Sequence, residues 1–325
     1  MVWLEFLLCG SLLTFFAYCL CKEGVILSEK TKIEKGVIGM IFLAIATSFP
    51  EIVTAATAVS SLGRIGLGYG DIAGSVMINL MILLAIDYYQ GKGRILRRVS
   101  KVNRVTGALV FILAAFILGA ILIRRAGIDM PVIGRVGMES IIIIFFYVAA
   151  LNFIRDQGAP PEHEVYAKAK VPFWEIWGKF VSFLLIVMFL GMWMAKIGEN
   201  IVIETGLSQT FTGTLFLGFA TSLPEIIVSF AALKASSIEM AVGNILGSNL
   251  FDLSIIPFLD LLTERPILGV LSAGQSIATV FVVLLCAIAV AGLFIKKDTK
   301  NRVSWDTSLI FIVGIAGFMI LYFIR

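Results

Sequence analysis

Apolar residues in this chain fall into long runs separated by short polar segments. Ten runs stand out, at about 2–20, 37–62, 70–90, 105–123, 136–154, 173–195, 209–233, 240–262, 268–295 and 306–324. Each is close to the roughly 20 residues that a helix needs to cross a bilayer. The pattern predicts an all-α membrane protein with ten transmembrane helices, five in each half. The first run stands where a signal peptide would. It has no positive stretch before it and no small-residue cleavage site, so it reads as a span.

Two runs carry the same fault. Ala46-Thr47-Ser48-Phe49-Pro50-Glu51 lies inside the second, and Ala220-Thr221-Ser222-Leu223-Pro224-Glu225 lies 174 residues later inside the seventh. A mid-helix proline removes a backbone donor and clashes with the preceding turn, so nearby carbonyls lose their partners. An ionised glutamate at the bilayer centre costs about 3 kcal/mol or more unless paired. From Gly39 to Glu51 against Gly213 to Glu225, eight of thirteen residues are identical. A second block follows each: Gly70 to Asn79 matches Gly243 to Asp252, and Asp87 corresponds to Asp260. The chain is a duplication.

Five spans per half turn the second half over relative to the first, the inverted-repeat plan of many secondary transporters. Residues 1–155 are the first five-helix repeat, with its shared block at about 37–90. Residues 173–325 are the second, with its block at about 209–262, and 156–172 form a cytoplasmic linker. The second and seventh helices are expected to be broken. Most basic residues follow the odd-numbered spans, including Lys92, Arg94, Arg97, Arg98, Lys101 and Arg104, and Lys296, Lys297, Lys300 and Arg302. By the positive-inside rule those loops face the cytoplasm and both termini lie outside.

Composition agrees with this plan. Of the 325 residues, 59% are hydrophobic and 15% charged, against roughly 25% charged in soluble domains. Mean hydropathy is +0.99. This is an integral protein of the cell membrane, with the lipid bilayer as its surroundings. The net charge of +4 resides in short loops and does not imply a nucleic-acid partner; no obligate protein partner is evident either. Cys9, Cys19, Cys21 and Cys286 lack metal-ligand spacing and read as small apolar residues. The single histidine, His163, stands in the polar linker, so no histidine-activated nucleophile is at hand and an enzyme is not expected.

The candidate cation ligands are Glu51 and Glu225 from the broken helices, with Asn79 and Asp252 from the helices that follow. Thr47, Ser48, Thr221 and Ser222 add hydroxyls and backbone carbonyls, and Ser75 and Ser248 extend the set. All are oxygen donors, which suit Na⁺ and Ca²⁺ and do not suit Zn²⁺ or Cu⁺. Three acids carry −3, which three Na⁺ would neutralise and one Ca²⁺ would not. Asp71, Asp87, Glu239 and Asp260 are expected at solvated interfaces, and Lys234 at a helix end. Gly70 and Gly74, like Gly243 and Gly247, have the small-residue spacing that lets membrane helices approach closely. That approach is expected to set Ser75 and Asn79 against the broken second span.

Thr-Ser-x-Pro-Glu twice, each followed by a Gly-x-x-x-Gly-Ser block ending in Asn or Asp, resembles the α-repeats of the cation/Ca²⁺ exchanger superfamily. The likeness is greatest to prokaryotic Na⁺/Ca²⁺ exchangers. It implies a secondary-active antiporter that works by alternating access, with Na⁺ and Ca²⁺ as cargo and no cofactor. Glu51 and Glu225 would then be ligands shared by both ions. Thr47 and Thr221 would give backbone carbonyls, and Ser48 and Ser222 hydroxyls. Asn79 and Asp252 would complete the middle site, with Ser75 and Ser248 beside the Na⁺ sites. The first and sixth spans would slide over a rigid core. Two departures stand in the first repeat: Asp71 where the pattern has Asn, and Val76 where it has Asn. An H⁺/Ca²⁺ or broader cation/Ca²⁺ antiporter is the nearest alternative, and a passive cation channel a remote one.

Overall fold

The computed structural model describes residues 1–30, 47–91, 95–156, 172–234, 238–295 and 303–324. Several sequence expectations lie outside the described residues: the start of the second run up to Ala46, the linker with His163, and the basic residues Lys92, Arg94, Lys296, Lys297, Lys300 and Arg302.

The long helices are α1 (Val2–Lys30), α3 (Ile65–Gln90), α4 (Lys101–Arg125), α5 (Met138–Asp156), α6 (Phe173–Thr205), α10 (Ile238–Asp260), α12 (Ala273–Phe294) and α13 (Trp305–Phe323). These eight contain the described stretches long and apolar enough to cross a membrane. The short α2 (Phe49–Ser60) holds the described part of the second run. The seventh run is broken into α7 (Gln209–Thr212), a π-helical turn (Gly213–Leu217), α8 (Gly218–Thr221) and α9 (Leu223–Lys234). Its two arms, Gln209–Thr221 and Leu223–Lys234, are bent by 42°, as the mid-run proline requires. Counted as one, they make a ninth candidate span among the described residues.

Three boundaries differ from the hydropathy reading. Helix α1 continues nearly three turns past its apolar run, to Lys30, and α6 continues by a similar length to Thr205. Hydropathy marks where lipid ends, whereas a helix ends where its backbone is capped: α6 stops at Gly206, whose φ of +69° only glycine adopts freely. The ninth run is divided into α11 (Ile267–Val270) and α12, because Ser272 and Gln275 form a reciprocal capping box that starts a new helix. Between α4 and α5 the chain makes a small antiparallel hairpin, β1 (Val132–Ile133) with β2 (Val136–Gly137), that alternation over so few residues does not reveal.

Packing separates the chain into two hydrophobic clusters. One is built chiefly by α1 and α6, through Cys9, Leu13, Ala17, Leu190 and Met194. The larger one joins residues of α3, α4, α5, α10, α12 and α13, such as Met77, Leu83, Leu113, Ile245 and Leu285. Ile112, Phe145, Phe189 and Ile312 point outward, as expected of a lipid-facing surface.

Asp87 and Asp260 correct the expectation of a solvated interface, since both are fully buried. Each accepts hydrogen bonds from its own following loop and from the start of a helix in the other half. Asp87 receives Ile95 N (3.3 Å), Ser304 N (2.7 Å), Ser304 Oγ (2.9 Å) and Thr307 Oγ1 (2.9 Å). Asp260 receives Ile267 N (2.6 Å) and Gly137 N (2.9 Å). Apolar run ends looked wet because nothing in hydropathy reports these backbone donors. Glu239 is half-buried and accepts from Ser100 N (2.8 Å) and Asn103 Nδ2 (3.0 Å), so it too is a tie between elements. Replacing Asp87 by Ala strands several buried donors, and unsatisfied groups cost about 1–3 kcal/mol each. The Asp87→Ala protein is expected to unfold about 5–10 °C lower in detergent. An unchanged midpoint would show that these donors find other acceptors.

Candidate functional site

In both Thr-Ser-x-Pro-Glu segments the Thr-Ser pair precedes the proline, and in the seventh span it marks the break. Ser48 immediately precedes α2, and Ser222 stands between α8 and α9. Proline falls in the first turn of the next helix, where its missing N–H costs nothing. Glu51 and Glu225 are thereby held in the first turn, near the positive end of each helix dipole.

All ten residues expected from the sequence lie in the interior. Thr47, Ser48, Glu51, Ser75, Asn79, Thr221, Ser222, Glu225 and Asp252 are fully buried, and Ser248 nearly so. The contacts between them are reciprocal. Thr47 Oγ1 meets Ser248 Oγ at 3.5 Å, and the matching pair from the other repeat, Thr221 Oγ1 and Ser75 Oγ, meets at 3.3 Å. Ser48 Oγ donates to Glu225 Oε1 at 3.3 Å, and Ser48 also neighbours Asp252. Asn79 Nδ2 donates to Asn249 Oδ1 at 3.0 Å, joining α3 to α10. Glu51 lies within electrostatic reach of Glu225, Asp252 and Asp71. Ser222 Oγ has no hydrogen-bond partner.

Two residues of this interior were not expected there. Asp71 is fully buried and accepts from Thr221 Oγ1 at 3.0 Å, so it is no interface residue, and the charge count of three acids becomes four. Asn249 is fully buried against Asn79; its counterpart in the first repeat is Val76, and that mismatch was the only sequence signal. The glycine expectation also needs correction. Gly70 and Gly74 approach the seventh span, not the second. A Cβ on Gly74 would lie 2.1 Å from Thr214 O, and one on Gly70 2.9 Å from Thr210 O. Gly68 is the residue that meets α2, with Ala55 O 2.7 Å from its would-be Cβ. Gly243 faces Asn103 Oδ1 at 3.0 Å from its would-be Cβ, and Gly247 has no described neighbour within 4 Å.

The site is strongly electronegative and under-satisfied. Both Glu51 oxygens, both Asp252 oxygens, Glu225 Oε2 and Asp71 Oδ2 have no hydrogen-bond partner. Among the described residues no ion pair reaches these four acids. Buried ionised carboxylates cost several kcal/mol each unless a cation or proton compensates them. Among the described residues no three His, Cys, Asp or Glu side chains stand close enough to hold one metal ion. A cation here therefore takes much of its coordination from hydroxyls, amides and backbone carbonyls, the ligand set of alkali and alkaline-earth ions.

Comparison with known proteins places this architecture. An uncharacterized membrane protein of Methanocaldococcus jannaschii, MJ0091, is 27% identical over 225 residues, 67% of each chain. The crystal structure of an H⁺/Ca²⁺ exchanger, CAX, matches with a TM-score of 0.73 at 13% identity, covering 99% of this chain and 84% of that one. A structure of the sodium-calcium exchanger NCX_Mj matches with a TM-score of 0.60 at 21% identity, covering all of both chains. The sodium/calcium exchanger protein family matches residues 1–154 and 175–324. This chain, a multi-pass membrane protein, belongs to that family.

Proposed function

We propose that the protein is a secondary-active antiporter that exchanges Na⁺ for Ca²⁺ across the cell membrane by alternating access. The observation that carries this reading is the meeting of the two Thr-Ser-x-Pro-Glu segments in the interior, where Ser48 Oγ donates to Glu225 Oε1 and the carboxylate oxygens of Glu51 are left without partners. Ligands from both repeats contribute. Glu51 and Glu225 serve both ions, with Ser48 and Ser222 as hydroxyl ligands and Thr47 and Thr221 as carbonyl ligands. Asn79 and Asp252 complete the middle, and Ser75 and Ser248 lie to the Na⁺ side. The ions are cargo and no cofactor takes part.

The same reading assigns ten spans in two inverted five-helix repeats, 1–155 and 173–325, joined by a cytoplasmic linker, with both termini outside. The matched pairs Thr47–Ser248 and Thr221–Ser75 support a two-fold relation, as do the ties of Asp87 and Asp260. The separate cluster of α1 and α6 supports sliding of that pair over the rest, because moving two helices that pack on each other leaves the larger core intact. Buried carboxylates take protons as readily as cations, so H⁺ is the competing counter-ion.

The test is radiolabelled Ca²⁺ uptake into proteoliposomes loaded with Na⁺ and diluted into Na⁺-free buffer. Uptake driven by the outward Na⁺ gradient and indifferent to a proton ionophore is expected. Uptake driven only by a pH gradient would move the protein to proton coupling. Uptake that only dissipates an existing Ca²⁺ gradient, at channel rates, would remove the antiport reading.

A further inference from the structure

The two repeats treat one matched position differently. Asn244, four residues before Ser248, is satisfied by its surroundings: its Nδ2 donates to Glu225 O at 3.3 Å and to Ser229 Oγ at 3.0 Å. Asp71, four residues before Ser75, is not. Thr221 Oγ1 stands 3.0 Å from Asp71 Oδ1 and also 3.0 Å from Leu217 O, one hydrogen for two acceptors. Asp71 Oδ2 is buried with no partner at all. The charged groups acting on this part of the site are acids, Asp252 on Asp71 itself and Asp71 in turn on Glu51.

An amide oxygen at position 71 would accept from Thr221 Oγ1 as the carboxylate does, so that hydrogen bond does not call for a charge. Resting on the exchanger reading above, we infer that Asp71 is a direct ligand for one Na⁺ beyond those held by Glu51, Glu225 and Asp252, shared with the hydroxyls of Thr221 and Ser75. Three features support this. Those two hydroxyls are 3.3 Å apart, so one ion can touch both, and each is a buried oxygen. The unpartnered Oδ2 gives the ion a charged ligand. A small monovalent ion also offsets a fourth buried negative charge without adding a positive side chain, and no ion pair reaches Asp71 among the described residues. Asp71 would then set how many Na⁺ the site holds, and the first repeat would carry a ligand that the second lacks.

The measurement is saturation binding of radiolabelled Na⁺ to the purified full-length protein in detergent, counted per protein, with radiolabelled Ca²⁺ binding run in parallel. Wild type is compared with Asp71→Asn, which installs the residue found at the matched position of the other repeat. The expected result is a loss of one Na⁺ per protein in Asp71→Asn. An Asp71→Asn protein that binds as many Na⁺ as wild type would overturn the inference and leave the exchanger reading standing. Wild type that binds neither ion would overturn the exchanger reading and this inference with it. Wild type that binds Ca²⁺ but no Na⁺ would overturn the inference and favour proton coupling. If Asp71→Asn is not monodisperse, Asp71→Ser, which needs less room, is read in the same way.

Discussion

Glu225→Gln and Glu51→Gln should each bring Ca²⁺ uptake in proteoliposomes down to background. Both glutamates are fully buried in the first turn of a helix that begins just after a Thr-Ser pair, and three of their four carboxylate oxygens lack partners. Removing one charge from a buried, compensated pair costs about 3–5 kcal/mol. At about 1.4 kcal/mol per factor of ten, Ca²⁺ binding should weaken by roughly 100- to 4000-fold. Glutamine keeps the shape, so the protein should remain folded. In ion-free buffer the variants should even be somewhat more heat-resistant than wild type, because a buried uncompensated charge is gone. They should also lose most of the stabilisation that Ca²⁺ gives wild type. Thermal unfolding with and without Ca²⁺, beside uptake, separates this from misfolding. Near-normal uptake by either variant would remove that glutamate from the site.

Gly74→Ala should be nearly as damaging, although a single methyl is added. The new Cβ would lie 2.1 Å from Thr214 O and 2.6 Å from Thr214 C and Cα, all backbone atoms of the π-helical turn. Backbone cannot rotate aside as a side chain does, so α3 and the turn must part by about 1 Å to reach ordinary contact distance. Overpacking of this kind costs about 1–3 kcal/mol. The larger loss is functional, because Ser75 is the next residue and its contact with Thr221 is set by the same approach. A shift of about 1 Å in an aligned constellation can cost on the order of 100-fold in rate. Gly119→Ala is the matched control: it lies on α4 with no described atom within 4 Å of the new methyl, and it should transport normally. Equal behaviour of the two variants would mean that the α3 approach is not needed.

The helical spans and the break in the seventh were legible because hydropathy and proline act locally, and the duplication made each half a check on the other. That the ten candidate residues lie in the interior was legible for the same reason, since polar groups in the middle of an apolar run are turned away from lipid. Asp71 was not. It stands near the start of an apolar run, where hydropathy alone suggests contact with water. It is buried because Gly70 and Gly74 let α3 lean on the π-helical turn, a long-range contact that no window of sequence contains. Asp87 and Asp260 were misjudged in the same way, because their donors come from residues far along the chain. The extension of α1 to Lys30 was hidden because polar residues can continue a helix that lipid no longer surrounds.

The ties of Asp87 and Asp260 also bear on how the protein is made. Asp87 leaves the ribosome 217 residues ahead of Ser304, and Gly137 is made 123 residues before Asp260. Each half thus enters the bilayer holding one member of a bond that the other half must complete. Until the last helix arrives, Asp87 lacks the Ser304 and Thr307 donors, and until α10 arrives Gly137 N lacks the Asp260 carboxylate. Neither half is a finished module on its own, even though the gene that encodes them arose by duplication. Expressed as separate fragments, the halves should survive together and be cleared when made singly.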